Sequence, residues 1–145
     1  MGDGIAARGS RAAITETVRC VYGQDWLTMD PREAGRRLEE IADPELTFVP
    51  EPGTGGAVSG ITEVLRLLTD ARAEWSSCRY LLDEIREVDA TEAVVIGRVV
   101  ATLRRSRSRV SFPFVHAWRA RGSRIHRIET YTDRDQASTA LGWSL

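Results

Sequence analysis

The sequence predicts an α+β domain in which N-terminal helices pack on one face of a mainly antiparallel sheet. In the first half, apolar residues recur at helical spacing. The second half holds four segments rich in β-branched and aromatic residues. The links between these segments are short, which is typical of hairpins and so of antiparallel pairing. Helices followed by a meander of strands favour an α+β class.

Three helices are predicted in the first half. The first runs from about Ala12 to Met29 and carries one apolar face. The second starts at Asp30-Pro31, because Asp is a good N-cap residue and Pro is favoured at the first helical position. The third opens at Gly60, and its apolar stripe extends to Trp75.

Five strands and a short last helix complete the predicted domain. The strands are Leu46–Val49, Tyr80–Val88, Ala93–Leu103, Val110–Ala120 and Arg124–Thr132. The helix is expected at Asp135–Leu141. The single domain then spans residues 12–142, between a flexible N-terminus (1–11) and a three-residue tail (143–145).

Charge and composition argue against several classes of function. The net charge is −1, whereas nucleic-acid-binding domains usually carry a basic excess. The longest apolar runs have four or five residues, too few to span a membrane. All 20 basic residues are arginine. Without lysine, the chain has no Schiff-base nucleophile, no pyridoxal phosphate linkage and no Walker A phosphate loop.

The two cysteines indicate a reducing compartment and no metal centre. Cys20 and Cys78 are too few and too far apart in the sequence for a disulfide framework or a zinc site. We find no two-His-carboxylate pattern either. We therefore expect a cytoplasmic protein without a metal ion or an organic cofactor.

Six segments carry a resemblance to a known family. They are Tyr22 with the Gly23-Gln24-Asp25-Trp26 turn, Ile41-Ala42-Asp43-Pro44, Ser59-Gly60, Phe114-Val115-His116-Ala117-Trp118-Arg119, Arg124-Ile125 and Tyr131-Thr132-Asp133. In this order they resemble the nuclear transport factor 2-like (NTF2-like) superfamily, and within it the SnoaL-like polyketide cyclases and ketosteroid isomerases. The resemblance implies a sheet that curls around the helices into a cone, a small-molecule pocket in that cone and a homodimer.

The same resemblance implies a catalytic set. Tyr22 corresponds to the oxyanion-hole tyrosine of the isomerases, and Glu51 to the general base of their Asp-Pro pair. His116 corresponds to their protonated Asp, or to a His of the cyclases. The acid that the cyclases carry on the last strand falls at Thr130 here. The cyclase mechanism therefore carries over only if Glu51 takes the place of that acid.

Each of the three catalytic candidates also has a structural interpretation. His116 shares a strand face with Phe114 and Trp118, so desolvation should keep it neutral. It could equally be a core histidine bonded to a backbone carbonyl. Tyr22 could be a core residue with its hydroxyl group at the rim, and Glu51 a solvated loop residue. The residues alone leave these alternatives open.

The remaining candidates would bind the ligand. Aromatic side chains would form walls for a flat polycyclic or polyketide molecule. The candidates of this kind are Trp26, Trp75, Phe114 and Trp118. Thr130 would add a polar contact. Arg98, in the middle of a strand, would pair with Asp83 or Glu84 or bind an acidic ligand in the cone.

The sequence thus favours a cofactor-free acid–base enzyme. Its reaction would be isomerisation, cyclisation or dehydration of a polyketide- or steroid-like molecule in bacterial secondary metabolism, including antibiotic biosynthesis. The alternative is a non-catalytic binding protein that uses the same cone. The expected homodimer would form through the outer sheet face, with Val95, Val99 and Val115 as its apolar residues.

Overall fold

This computed structural model describes residues 14–51 and 56–142 of the chain. These residues contain four helices and six strands, joined by turns and loops. In chain order they are α1 (residues 14–22), α2 (Pro31–Ile41), β1 (Ala42–Val49), β2 (Val58–Ser59), α3 (Ile61–Glu74), β3 (Trp75–Glu87), β4 (Glu92–Leu103), β5 (Arg109–Arg121), β6 (Arg124–Tyr131) and α4 (Arg134–Leu141). The α+β prediction is confirmed. The predicted terminal segments, 1–11 and 143–145, lie outside the described residues.

Helix α1 ends at Tyr22, seven residues before the end that the apolar pattern predicted. A turn follows, in which the Gly23 amide donates to the Arg19 carbonyl (2.9 Å). The Trp26 indole then donates back to the Val21 carbonyl (2.7 Å). The apolar residues of this turn continue the helical spacing of α1 in the sequence, although the turn itself is not helical. The predicted helix was therefore too long.

The predicted helix starts agree with the structure. The Asp30 carboxylate accepts a hydrogen bond from the Arg32 amide (2.8 Å), with Pro31 at the first helical position. Gly60 precedes α3 with φ +94°, a conformation that favours glycine. The end of α3 differs from the prediction, because Trp75 is the first residue of β3 and not the last of the helical stripe.

The strands form one six-stranded sheet with the order β2-β1-β6-β5-β4-β3. All neighbouring strands are antiparallel except β1 and β6, which are parallel. Strand β1 begins at Ala42 and β3 at Trp75, each directly after a helix. The two-residue strand β2 was not predicted, because so short an edge pairing leaves little pattern in the sequence.

The inner face of the sheet packs on the helices. Its core residues include Val95, Phe114 and Trp118, together with Val18 of α1. The outer face is covered in part by α4, through a second cluster of buried residues: Val94, Ile96, Val115 and Ala137. The expectation that Val95, Val99 and Val115 share the outer face is wrong, since Val95 and Val99 belong to the inner core and only Val115 faces outward.

Strands β3 and β4 approach each other closely near a bulge. A bulge interrupts the β3–β4 pairing between Leu82 and Glu84. Next to it, a Cβ atom on Gly97 would lie 2.2 Å from the Leu81 carbonyl oxygen. Glycine therefore allows the two strands to approach each other at this bend. No helix among the described residues is long and apolar enough to cross a membrane.

Candidate functional site

Three side chains from α1 and β5 form one hydrogen-bonded group inside the curved sheet. The Tyr22 hydroxyl oxygen lies 2.5 Å from His116 Nδ1. The Trp118 indole Nε1 donates to the same hydroxyl oxygen (3.0 Å). His116 and Trp118 alternate along β5 onto the inner face, and Tyr22 ends α1 above them. The helix end and the strand thus bring together residues 94 positions apart.

The donor from Trp118 favours one tautomer of His116. An indole N–H can only donate, so Tyr22 accepts from Trp118. The hydroxyl proton of Tyr22 is then free to donate to His116 Nδ1, so that Trp118 Nε1–H, the Tyr22 hydroxyl group and His116 Nδ1 all have a partner. We therefore assign the imidazole proton to Nε2. Within the described residues, Nε2 has no hydrogen-bond partner.

Burial keeps His116 neutral and Tyr22 protonated. His116 is only 8% exposed. Burial lowers the pKa of His116 to about 3, because the charged imidazolium loses its hydration. Burial also raises the pKa of Tyr22 well above its ordinary range, although the hydrogen bond from Trp118 opposes this shift. At neutral pH both side chains are uncharged hydrogen-bonding groups.

Aromatic rings surround the imidazole. The Phe114 ring centroid lies 4.7 Å from that of His116, and Phe48 makes an edge contact at 6.5 Å. Tyr80 also packs here, with its ring 5.2 Å from Tyr22 and 6.1 Å from His116. At 38% exposure, Tyr80 lies at the open rim. The sequence interpretation missed Tyr80, although its alternation with Cys78 and Leu82 on β3 was a usable signal.

Thr130 of β6 lies directly opposite His116 of β5 in the sheet pairing. Directly opposite residues in an antiparallel pair project from the same face, so both side chains point inward. The Thr130 hydroxyl oxygen is buried and has no hydrogen-bond partner within the described residues. A second unsatisfied polar group therefore lies beside the imidazole.

Glu51 follows β1 at the same end of the sheet. Val49, near the end of β1, pairs with Glu129 of β6 in the parallel ladder. Glu51 follows two residues later, and Thr130 is the next residue of β6. Only β6 separates β1 from the strand of His116. Glu51 is half-buried. Most of the loop that follows it, residues 52–55, lies outside the described residues.

Three expected ligand-binding residues are not brought to His116. Arg98 is exposed on the outer face and donates to the Ser111 hydroxyl oxygen (3.2 and 3.1 Å). Trp75 lies eight residues along the sheet from the row of His116, about 27 Å of strand. Trp26 belongs to the turn after α1, where its indole N–H is satisfied by backbone. Phe114 and Trp118, by contrast, do contact the site.

An ion-pair network lies on the outer face behind Thr130. Burial by itself would raise the pKa of Glu129. Hydrogen bonds from Arg127 (2.9 Å) and Tyr131 (2.8 Å), with the charges of Arg127 and Arg119, outweigh burial and lower the pKa. This network stabilises the back of the strand and does not reach the inner face.

The remaining features of the described residues are their potential metal ligands and two surface grooves. No group of three or more His, Cys, Asp or Glu side chains among them could hold a metal ion. Two surface grooves, of about 610 and 440 Å³, share Pro44 and Gly60 in their linings. They lie near the start of β1 and the β5–β6 hairpin, and neither is lined by His116.

Comparison with known proteins finds similarity only at the level of structure. No family model and no curated protein matches the chain. A putative SnoaL-like polyketide cyclase from Jannaschia sp. CCS1 is similar with a TM-score of 0.72 and 16% identity, over 92% of this chain and 94% of that one. An NTF2-like protein of unknown function from Burkholderia pseudomallei has a TM-score of 0.66 and 21% identity, over 88% of this chain and 95% of that one. For TerC, co-crystallised with polyporic acid, the TM-score is 0.65 and the identity 18%, over 90% of this chain and 95% of that one.

Proposed function

Because the chain has the NTF2-like fold, we propose that it is a small-molecule enzyme that works by acid–base catalysis without a cofactor. The reaction would be an isomerisation, cyclisation or dehydration at a carbon next to a carbonyl group. The substrate would be a flat, polyketide- or steroid-like molecule of secondary metabolism. The observation that carries this proposal is the hydrogen-bonded group of Tyr22, His116 and Trp118 inside an aromatic enclosure.

In the proposed mechanism, His116 polarises the substrate and does not exchange a proton. Its pKa of about 3 is too low for a general acid or base at neutral pH. Its Nε2–H group can instead donate to the oxygen of a developing enolate, with Tyr22 and Trp118 holding the ring in place.

Glu51 would be the base in this proposal. It is half-buried at the end of the sheet where His116 lies, and its carboxylate could remove a proton from the carbon next to the polarised carbonyl. The same carboxylate could return the proton to a neighbouring carbon, which completes an isomerisation. Glu51, which follows β1, would then remove the proton, and His116 of β5 would stabilise the enolate.

The aromatic rings support a flat and largely apolar substrate. Phe114, Phe48 and Tyr80 surround the imidazole and offer ring faces and edges against which a planar molecule can pack. Because Tyr80 is the exposed member of this set, the substrate would reach His116 past Tyr80. TerC, a protein similar in fold, was co-crystallised with polyporic acid.

The second candidate function is non-catalytic binding of the same kind of molecule. The observation that favours it is the low pKa of His116, which leaves Glu51 as the only proton-transferring group proposed for the site. If Glu51 does not reach the ligand, the enclosure would bind without reacting.

Hydrogen–deuterium exchange separates the two functions. We would incubate 2-tetralone with the protein in D2O and follow the loss of its α-proton signals by NMR. An enzyme should accelerate the exchange over buffer, and Glu51→Gln should slow it by about 10²–10⁴-fold, because an amide cannot accept the proton. Glu45→Gln is the matched control, since Glu45 is an exposed carboxylate paired with Arg121 (3.7 Å). Binding of the ketone without Glu51-dependent exchange would support the binding protein.

Two further expectations accompany this proposal. The homodimer and the cytoplasmic location stay predictions of the resemblance and of the cysteine content. The outer face available for a dimer is smaller than the sequence suggested, because α4 covers Val94, Ile96 and Val115.

A further inference from the structure

A buried hydroxyl group without a protein partner lies next to His116 on the inner face. Thr130 and His116 are directly paired across β5 and β6. The Thr130 hydroxyl oxygen is buried without a hydrogen-bond partner within the described residues. The hydrogen bond of His116 to Tyr22 uses Nδ1 and leaves Nε2 available. Buried polar groups are nearly always hydrogen-bonded, so an unpaired one calls for an explanation. Its position directly opposite His116 suggests a partner that both residues share.

The chemistry of the two groups defines that partner. In the assigned tautomer His116 Nε2–H can only donate, and a threonine hydroxyl can donate as well. Side chains at directly opposite positions have Cβ atoms about 5 Å apart, so both can reach a single oxygen atom placed between them. The partner is therefore an oxygen acceptor, such as a carbonyl oxygen.

The inner face of strands β4, β5 and β6 carries no positive charge near His116 to balance an anionic ligand. Between the bulges of the sheet, its residues on β4, β5 and β6 are apolar apart from His116, Thr130 and the Trp118 indole N–H group. Arg98 of β4 and Arg127 of β6 project from the outer face. A buried carboxylate or phosphate would lose its hydration there without an ion-pair partner.

We propose that the ligand is an uncharged carbonyl compound whose oxygen accepts hydrogen bonds from both His116 Nε2–H and the Thr130 hydroxyl group. Thr130 is then a specificity-determining residue that selects ketones over carboxylic acids of the same shape. This inference rests on the small-molecule site of the proposed function, and it holds for an enzyme and for a binding protein alike.

The test compares two planar probes that differ in charge, 2-acetonaphthone and 2-naphthoate, by calorimetric titration at pH 7. The wild-type chain should bind the ketone at least about tenfold more tightly than the carboxylate. Thr130→Val keeps the shape and removes the hydroxyl group. It should weaken ketone binding about fivefold to tenfold, the effect of one hydrogen bond.

Thermal unfolding adds a readout that a structural role of Thr130 would not produce. Because Thr130→Val removes a buried unsatisfied group, it should raise the Tm of the free protein by about 2–4 °C. Thr132→Val is the matched control. The Thr132 hydroxyl already donates to Gln136 Oε1 (3.1 Å), so this variant should lower the Tm and leave ketone binding unchanged.

Three results would overturn the inference: carboxylate binding as tight as ketone binding, unchanged ketone affinity in Thr130→Val, or no ketone binding by the wild-type chain. These outcomes are separate from those of the exchange experiment. Thr130-dependent binding without Glu51-dependent exchange removes the catalysis and keeps this inference. Glu51-dependent exchange without Thr130-dependent binding keeps the catalysis and removes this inference.

Discussion

At the scale of single residues, His116 owes its properties to its neighbours. Phe114 and Trp118, two positions away on either side of the strand, remove water from the imidazole. Tyr22 supplies a hydrogen bond to one ring nitrogen and leaves the other available. A neutral donor results, in a place where a solvated histidine would titrate near neutral pH.

The acid stability of the protein should reveal this burial. The unfolded chain takes up a proton on His116 below about pH 6.5, whereas the folded chain resists it down to about pH 3. The unfolded state therefore binds more protons in this window, and folding stability falls as the pH falls. Between pH 7 and pH 4 the loss should be about 3 kcal/mol.

His116→Gln is the variant that isolates this effect. Glutamine can still accept from Tyr22, so its cost at pH 7 should be about 1–2 kcal/mol. Urea unfolding at several pH values should then show a flatter pH profile for the variant. Glu129, whose lowered pKa also makes acid destabilising, acts in both proteins and cancels. Parallel profiles for the two proteins would contradict the buried neutral imidazole.

Only part of this site could be predicted from single residues. The alternation of Phe114, His116 and Trp118 placed them correctly on one strand face. Alternation does not say which face is inside, and both faces of β4 are apolar around Arg98. Arg98 was therefore considered for the cone, and Val95 was assigned to the outer face. The contact of His116 with Tyr22 spans 94 positions and leaves no local signal.

At the scale of elements, the junction of α3 with β3 shows how distant residues set an element boundary. The Arg104 guanidinium donates to the carbonyls of Arg72 (3.0 Å) and Trp75 (3.3 Å). The Arg104 amide also donates to the Glu74 carbonyl (2.9 Å). The β4–β5 turn thereby ends the helix and starts the strand without a loop. These contacts join residues about 30 positions apart and leave no local signal in the sequence.

The crossing of β3 and β4 should depend on Gly97. Gly97→Ala would place a methyl group 2.2 Å from the Leu81 carbonyl oxygen and 3.1 Å from the Phe114 ring. Backbone would have to move, so we expect a loss of at least about 2 kcal/mol in the free energy of unfolding.

Gly35→Ala is the matched control for that substitution. Gly35 lies inside α2, where an added Cβ would make an ordinary contact with Leu65 (3.5 Å). Alanine has a higher helix propensity, so this variant should gain about 0.5–1 kcal/mol. Urea unfolding measures both. A Gly97→Ala protein as stable as the wild type would show that the strands do not approach as closely as described.

At the scale of the whole molecule, the order and type of most elements were predictable because their periodicities and caps are local. The α+β class, the four long strands and the starts of α2 and α3 followed from such signals. The parallel pairing of β1 with β6 did not, because a short strand followed by a Pro- and Gly-rich loop does not specify its distant partner. That pairing is what brings the end of β1, and with it Glu51, near the strands of Thr130 and His116.

The tautomer and charge of His116 test the account most directly. The chain has two histidines, so in the His126→Gln variant every imidazole signal belongs to His116. In ¹⁵N NMR of that variant we expect a neutral ring with its proton on Nε2 from pH 7 to about pH 4.5, and protonation only near pH 3. A proton on Nδ1, or a titration near pH 6.5, would contradict the hydrogen-bonded donor on which the proposed function and the assignment of Thr130 both depend.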